Sequence, residues 1–228
     1  MFILPIFNAS LTSIDKSETK RYAGLNKVAF DEKLIDDACL EAQLLSQAKG
    51  IWQIYDYNHV THTIEAEIPV MIEGRIVQRH LQNATKIIVL AVTIGEDIEH
   101  AITDHFKANK YTHSILLDAA ATTAVEMAAD SMEKTIIQEV QAKGYQTLMR
   151  FSPGYGDWNI TFQPQMLRLA NADGIGIALT DSMMLIPRKS VTAVIGLVPN
   201  CDGNSLNNRH DCKNCNKLDC LARKESSI

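Results

Sequence analysis

The sequence predicts an α+β domain, a twisted antiparallel or mixed sheet flanked by helices, on three observations. Short β-like runs crowd into residues 52–77, a continuous apolar run fills 87–92, and one long helical pattern occupies 112–143. Strands gathered in the middle with helices around them, without strict strand–helix alternation, mark this class. At 228 residues and 46% hydrophobic, the chain can bury the core of one large domain and still carry an appendage.

Residues 1–28 read as an ordered arm, with Ile14, Tyr22 and Leu25 at near-helical spacing in a polar background. A firm helix starts at Asp31, an N-cap, with Phe30 and Ile35 placed to form a hydrophobic staple. Leu34, Ala38, Ala42 and Leu45 form its buried stripe, Cys39 reads as a small buried hydrophobe beside it, and Gly50 is the expected stop. Residues 52–57 and 60–68 then read as strands, with a hairpin at Glu73-Gly74. His59 and His62 fall on alternating strand positions and are read as a solvated face.

The run 87–92 has the unbroken apolarity of a strand covered on both faces. Thr93 and Glu96 read as a capping box opening the next helix. In the long helix, residues 119–124 are all Ala or Thr, small enough for a backbone or ligand to approach, and Glu126 shares a face with Thr122 and Ala119. From spacing alone Glu126 is also consistent with an ordinary exposed glutamate. A short strand at 146–149 follows.

Composition narrows the function. With 22 Lys and Arg against 27 Asp and Glu, a formal charge of -5, the chain has no cation excess to neutralise a phosphate backbone, so nucleic acid is not an expected partner. No uninterrupted apolar stretch reaches the roughly 18 residues of a membrane span, and the apolar start lacks a basic n-region and contains Pro5. A soluble cytoplasmic protein is expected. No nucleophile–base pair or carboxylate dyad stands out.

The segment Arg150-Phe-Ser-Pro-Gly-Tyr-Gly is a loop suited to recognition. Pro153 fixes φ, Gly154 permits positive φ, and Arg150 and Tyr155 flank the turn. Arginine can hold a carboxylate through paired hydrogen bonds, while a tyrosine ring can cover a heterocycle or a sulfonium. The pattern Arg-x-x-x-Gly-Tyr, followed by Gly176-Ile-Ala-Leu-Thr-Asp-Ser-Met-Met-Leu-Ile-Pro-Arg-Lys-Ser-Val, resembles the activation (reactivation) domain family of cobalamin-dependent methionine synthase. The likeness spans residues 85–198 and is sharpest over 147–198.

The resemblance implies S-adenosylmethionine as ligand. Arg150 would hold its carboxylate, the backbone of Ser152 and Gly154 would meet the adenine, Tyr155 would complete the nucleoside pocket, and Glu126 would approach the ammonium. It further implies a methyltransferase-related role in which cob(II)alamin, on a separate cobalamin-dependent methionine synthase or other corrinoid protein, is reduced and methylated. An electron donor such as flavodoxin or ferredoxin would assist. No homocysteine, folate or cobalamin module is recognisable, so a stand-alone reactivation factor acting in trans is expected. Three departures from the family pattern stand out: Gly156-Asp157-Trp158 where proline usually follows Gly-Tyr, Asp181 in place of glutamate, and a cysteine-rich tail where the family continues into a sheet segment bearing a tyrosine.

That tail holds Cys201, Cys212, Cys215 and Cys220, spaced C-x10-C-x2-C-x4-C, which suggests a metal as its organiser. Spacing leaves zinc and an iron–sulfur cluster open; a cluster fits better because reactivation consumes an electron. An iron–sulfur redox protein, or a zinc-stabilised interaction module on the same scaffold, are the alternatives. The expected organisation is an N-terminal helical and β part at 1–84 within the same domain, an S-adenosylmethionine-binding core at 85–198, and the metal-binding tail at 199–228.

Overall fold

The computed structural model describes residues 6–200. The tail cysteines Cys201, Cys212, Cys215 and Cys220 lie outside the described residues. Within them the fold is α+β, and every strand pairing is antiparallel.

The chain runs β1 (Phe7–Asn8), α1 (Lys16–Tyr22), α2 (Glu32–Leu45), β2 (Lys49–Asn58), β3 (Thr63–Glu65), β4 (Val70–Met71) and α3 (Arg75–His80). It continues through β5 (Lys86–Thr93), α4 (Asp97–Lys107), α5 (Tyr111–Gln141), β6 (Tyr145–Thr147), α6 (Gln163–Ala170), β7 (Ala178–Leu179), β8 (Leu185–Ile186) and β9 (Ser190–Pro199). The main sheet has the order β4-β3-β2-β5-β9-β6, with β1 joined to the start of β2. Because β2 pairs with β5 along its whole length, one sheet runs across residues 84 and 85.

Strand β5 explains the architecture. Its side chains alternate between two cores: Ile88, Leu90 and Val92 share one with α2, α4 and α5, while Ile87, Val89 and Ala91 share the other with α3 and α6. All six are essentially inaccessible, so the unbroken apolar run does mark a strand buried on both faces. Ser114 and Thr123, which would be orphaned in such a core, hydrogen-bond the carbonyls of Ile102 and Ala119.

The small residues of α5 serve helix packing. Ala120, Ala121, Ala124, Ala128 and Ala129 are fully buried in the core shared with α2 and the sheet, and Thr19 on α1 donates to Thr123 at 3.2 Å. At the α2 end, Asp31 caps the Lys33 amide at 2.9 Å, and Phe30 packs against the same core that buries Ile35. Cys39 is buried and free, as its sequence context indicates. The carboxylate of Glu41 on α2 accepts from His105 and His113, tying that helix to the corner between α4 and α5.

Four local expectations are corrected. Helix α2 ends at Leu45, and Gly50 lies inside β2, where a Cβ would fall 2.4 Å from the Met132 sulfur of α5; the glycine serves close packing. Residues 59–62 form a turn between β2 and β3, with His62 at φ 56°, so the two histidines sit on a hairpin loop. Glu73-Gly74 leads into helix α3, and Gly74 is its N-cap residue. Thr93 caps no helix: Glu96 is the N-cap residue of α4, while the Thr93 hydroxyl accepts from the Gly95 amide and from Ser190.

Candidate functional site

β6 is the edge strand beside β9, and after it the segment 149–163 follows β9 in an irregular path held at three points. Phe151 forms an antiparallel bridge with Val194, donating at 2.9 Å and accepting at 2.8 Å. Trp158 is 1% exposed and lies between Phe151 and Phe162, with ring centroids 6.1 and 5.0 Å away. Asp157 accepts from the amides of Arg75 and Ile76 at 2.8 and 3.0 Å, capping α3. These two amide bonds, that of Ile76 foremost, hold the Asp157 carboxyl below its ordinary value. Asp157 and Trp158 thus give the segment two anchors, one polar and one apolar.

Between Phe151 and Asp157 the Ser152 carbonyl accepts from the Tyr155 amide at 3.2 Å, with Pro153 second and Gly154 third at φ 95°. This is the arrangement of a type II turn, whose third position requires positive φ. The turn is closed further by the Gly154 amide, which donates to the Trp158 carbonyl at 2.7 Å. Tyr155 projects from it, 67% exposed.

A cleft of about 690 Å³ opens between this loop, α5 and the start of β9. Four of the five ligand residues expected from sequence line it: Glu126, Arg150, Ser152 and Tyr155. Gly154 is outside the lining; its amide is engaged within the loop, and it acts by shaping the turn that carries Tyr155. Asp181 sits in the exposed turn between β7 and β8, also outside the lining.

Arg150 is the electrostatic centre. Its Nε lies 2.9 Å from Glu133, its Nη2 contacts Asp130, and the same nitrogen is 3.6 Å from Glu126. Those three acids sit at i, i+4 and i+7 of α5, one face of the helix. Burial pushes the Glu133 carboxyl up, with Arg150 pulling it down and Asp130 adding to the rise. Arg150 is only 18% exposed, and its Nη1 is buried with no hydrogen-bond partner among the described residues. Such an orphaned donor is costly unless another group meets it.

The opposite rim comes from β9. Lys189 donates to the Thr122 hydroxyl at 2.8 Å and pairs with Asp118 at 2.9 Å, fastening the strand's start to α5. Below it, buried Thr192 donates to buried Gln163 at 2.7 Å. Asp130, Glu133, Gln163 and Lys189 are additions that the sequence did not disclose. The acidic stripe on α5 was the one available signal, and without Arg150 docked beside it that stripe reads as a solvated face.

The family model described as vitamin B12 dependent methionine synthase, activation domain, matches residues 66–207, more than half of the chain. The chain belongs to this family. Among solved structures it is similar to the MetH reactivation domain bound to AdoHcy, with a TM-score of 0.60 and 15% identity over 89% of this chain and 81% of that one. At that identity the likeness establishes the fold. No curated protein matches. The activation-domain match starts at residue 66, on the strand pair preceding β5, and so reaches further upstream than the resemblance over 85–198. Among the described residues no helix is long and apolar enough to cross a membrane.

Proposed function

We propose that the cleft binds S-adenosylmethionine and that the chain supports reductive methylation of cob(II)alamin carried by a separate methionine synthase or other corrinoid protein. The observation that carries this reading is Arg150 at the cleft wall, held by Glu133 and keeping an unpartnered Nη1. A ligand carboxylate would satisfy that donor, with the geometry of an arginine–carboxylate fork. Glu126 and Asp130, on the same helix face, supply anionic oxygens for an ammonium.

Charge count agrees. Around Arg150 itself three carboxylates face one guanidinium, a local excess of negative charge that suits an ammonium, while Arg188 and Lys189 on the opposite rim are paired with Glu99 and Asp118. Tyr155 and Ser152 line the cleft, where Tyr155 would cover the heterocycle or the sulfonium and Ser152 would present backbone to the adenine. When bound, S-adenosylmethionine supplies an electrophilic methyl group. The residues here bind and orient it, a proximity role that requires no general base. The structural relative's AdoHcy, the demethylated form of this ligand, supports the assignment.

The reading extends to the tail and the partners. Cys201, Cys212, Cys215 and Cys220 are proposed to hold an iron–sulfur cluster, with zinc as the alternative, and the electron would come from a flavodoxin or ferredoxin. Calorimetric titration of S-adenosylmethionine, followed by a methylation assay with a cob(II)alamin-loaded partner and reductant, tests the proposal. Absence of binding by folded protein would overturn it.

A further inference from the structure

We propose that Glu41, His105 and His113 form a binding site for a divalent transition metal of the zinc class, clamping α2 to the α4–α5 corner. The three side chains come from three helices: Glu41 from the middle of α2, His105 from the last turn of α4, and His113 from the first turn of α5. One ligand atom from each lies within 4.8 Å of the other two. His105 Nε2 is 2.8 Å from one carboxylate oxygen of Glu41, and His113 Nε2 is 2.6 Å from the other.

The donor chemistry selects the ion. Two imidazoles and one carboxylate are the protein ligands of many zinc sites that keep a fourth position for water, whereas magnesium and calcium prefer oxygen donors. With bonds of roughly 2.0–2.2 Å to zinc, tetrahedral ligand atoms stand about 3.3–3.6 Å apart. Opening the two Glu41 contacts to that spacing needs a movement of under about 1 Å, and the side chains, 21–29% exposed, are not locked in the core.

Room for the fourth ligand is adjacent. A recess of about 420 Å³, lined among others by His105, His113, Asn109 and Tyr111, borders the imidazoles. The two rings are themselves in edge contact, centroids 4.5 Å apart. Lys110 also lines the recess, so Glu41 is the only anion of the set and affinity rests chiefly on the imidazoles. Binding would displace the protons they share with Glu41 and so weaken in acid.

The site shares no residue with the cleft or with the tail cysteines, and its test must exclude the latter. Full-length protein with its accessible thiols blocked by iodoacetamide is titrated with ZnCl₂ by calorimetry and followed by NMR of the imidazole protons. One ion per chain is expected, with shifts confined to two of the seven histidines. His105→Ala and His113→Ala should each weaken zinc by more than about 100-fold, since even outer-shell partners are worth roughly 10- to 100-fold. MgCl₂ should leave the spectrum unchanged. Zinc affinity unaltered in either histidine variant, no zinc-induced shift of two histidines in the wild type, or equal competition by magnesium would each overturn the proposal. The NMR readout uses the unmutated sequence, so it decides even if a histidine variant misfolds.

Discussion

Truncating Arg150 to alanine separates its two duties, fixing a ligand carboxylate and neutralising the α5 acids. The pairs with Glu126 and Asp130 are substantially exposed, and such contacts contribute about 0–1 kcal/mol each. The 2.9 Å contact with Glu133 is better shielded, and a charged hydrogen bond of this kind is worth roughly 1.5–3 kcal/mol before screening. Discounting for exposure, Arg150→Ala should cost about 1–2 kcal/mol of stability, lowering the Tm by roughly 2–8 °C for a domain of this size. Loss of the ligand's charged partner should weaken S-adenosylmethionine by about 1.5–3 kcal/mol, or roughly 10- to 150-fold in Kd. Arg150→Lys keeps the charge without the fork and should fall between the two. Urea denaturation and calorimetry on the three proteins read both quantities. If Arg150→Ala is folded and binds with unchanged Kd, the cleft does not hold the ligand through this residue.

Other outcomes follow from the same geometry. Glu126→Gln and Asp130→Asn should reduce affinity for S-adenosylmethionine and S-adenosylhomocysteine by similar factors, because both ligands carry the ammonium these acids face, and added salt should lessen the losses; unchanged affinity for both would show that the acids do not meet that group. Gly154→Val forces a β-branched residue into φ 95°, costing about 1–3 kcal/mol locally; binding should fall with the displaced Tyr155 turn, and a normal Kd would refute that coupling. The Glu133 carboxyl titrates above its ordinary 4.5 in the folded protein, so its protonated form is favoured there and its contribution to stability falls as pH rises through the window upward from 4.5; in Glu133→Gln that component of the stability–pH slope should vanish. Anaerobically prepared protein should be brown and bleach with dithionite, and Cys215→Ser should remove both the colour and reductive methylation. Colourless protein with one zinc per chain would refute the cluster and leave the cleft untouched.

Local signals were legible wherever the responsible physics is local. The apolar run of β5, the Asp31 cap and the extent of α5 depend on neighbours within a few residues, and each appears where periodicity or capping places it. Arg150 and Tyr155 were legible because a Pro-Gly turn fixes its own backbone, and with it the direction of its flanking side chains.

Contacts between distant segments were set by tertiary structure. The acids Asp130 and Glu133 come to bear on the cleft, through Arg150, because β9 draws the Phe151 bridge, and Arg150 with it, against α5. Asp157 looks like a surface loop acid until α3, some 80 residues earlier, offers it two free amides. Gly50 mimics a helix stop in sequence, yet its reason is the sulfur of Met132 on a helix far along the chain. Glu41, His105 and His113 are each unremarkable alone. The sequence by itself determined the segments whose physics is local, such as α2, β5 and α5; packing decided the rest, including which polar atoms would face one another, because that depends on a sheet order the chain does not spell out locally.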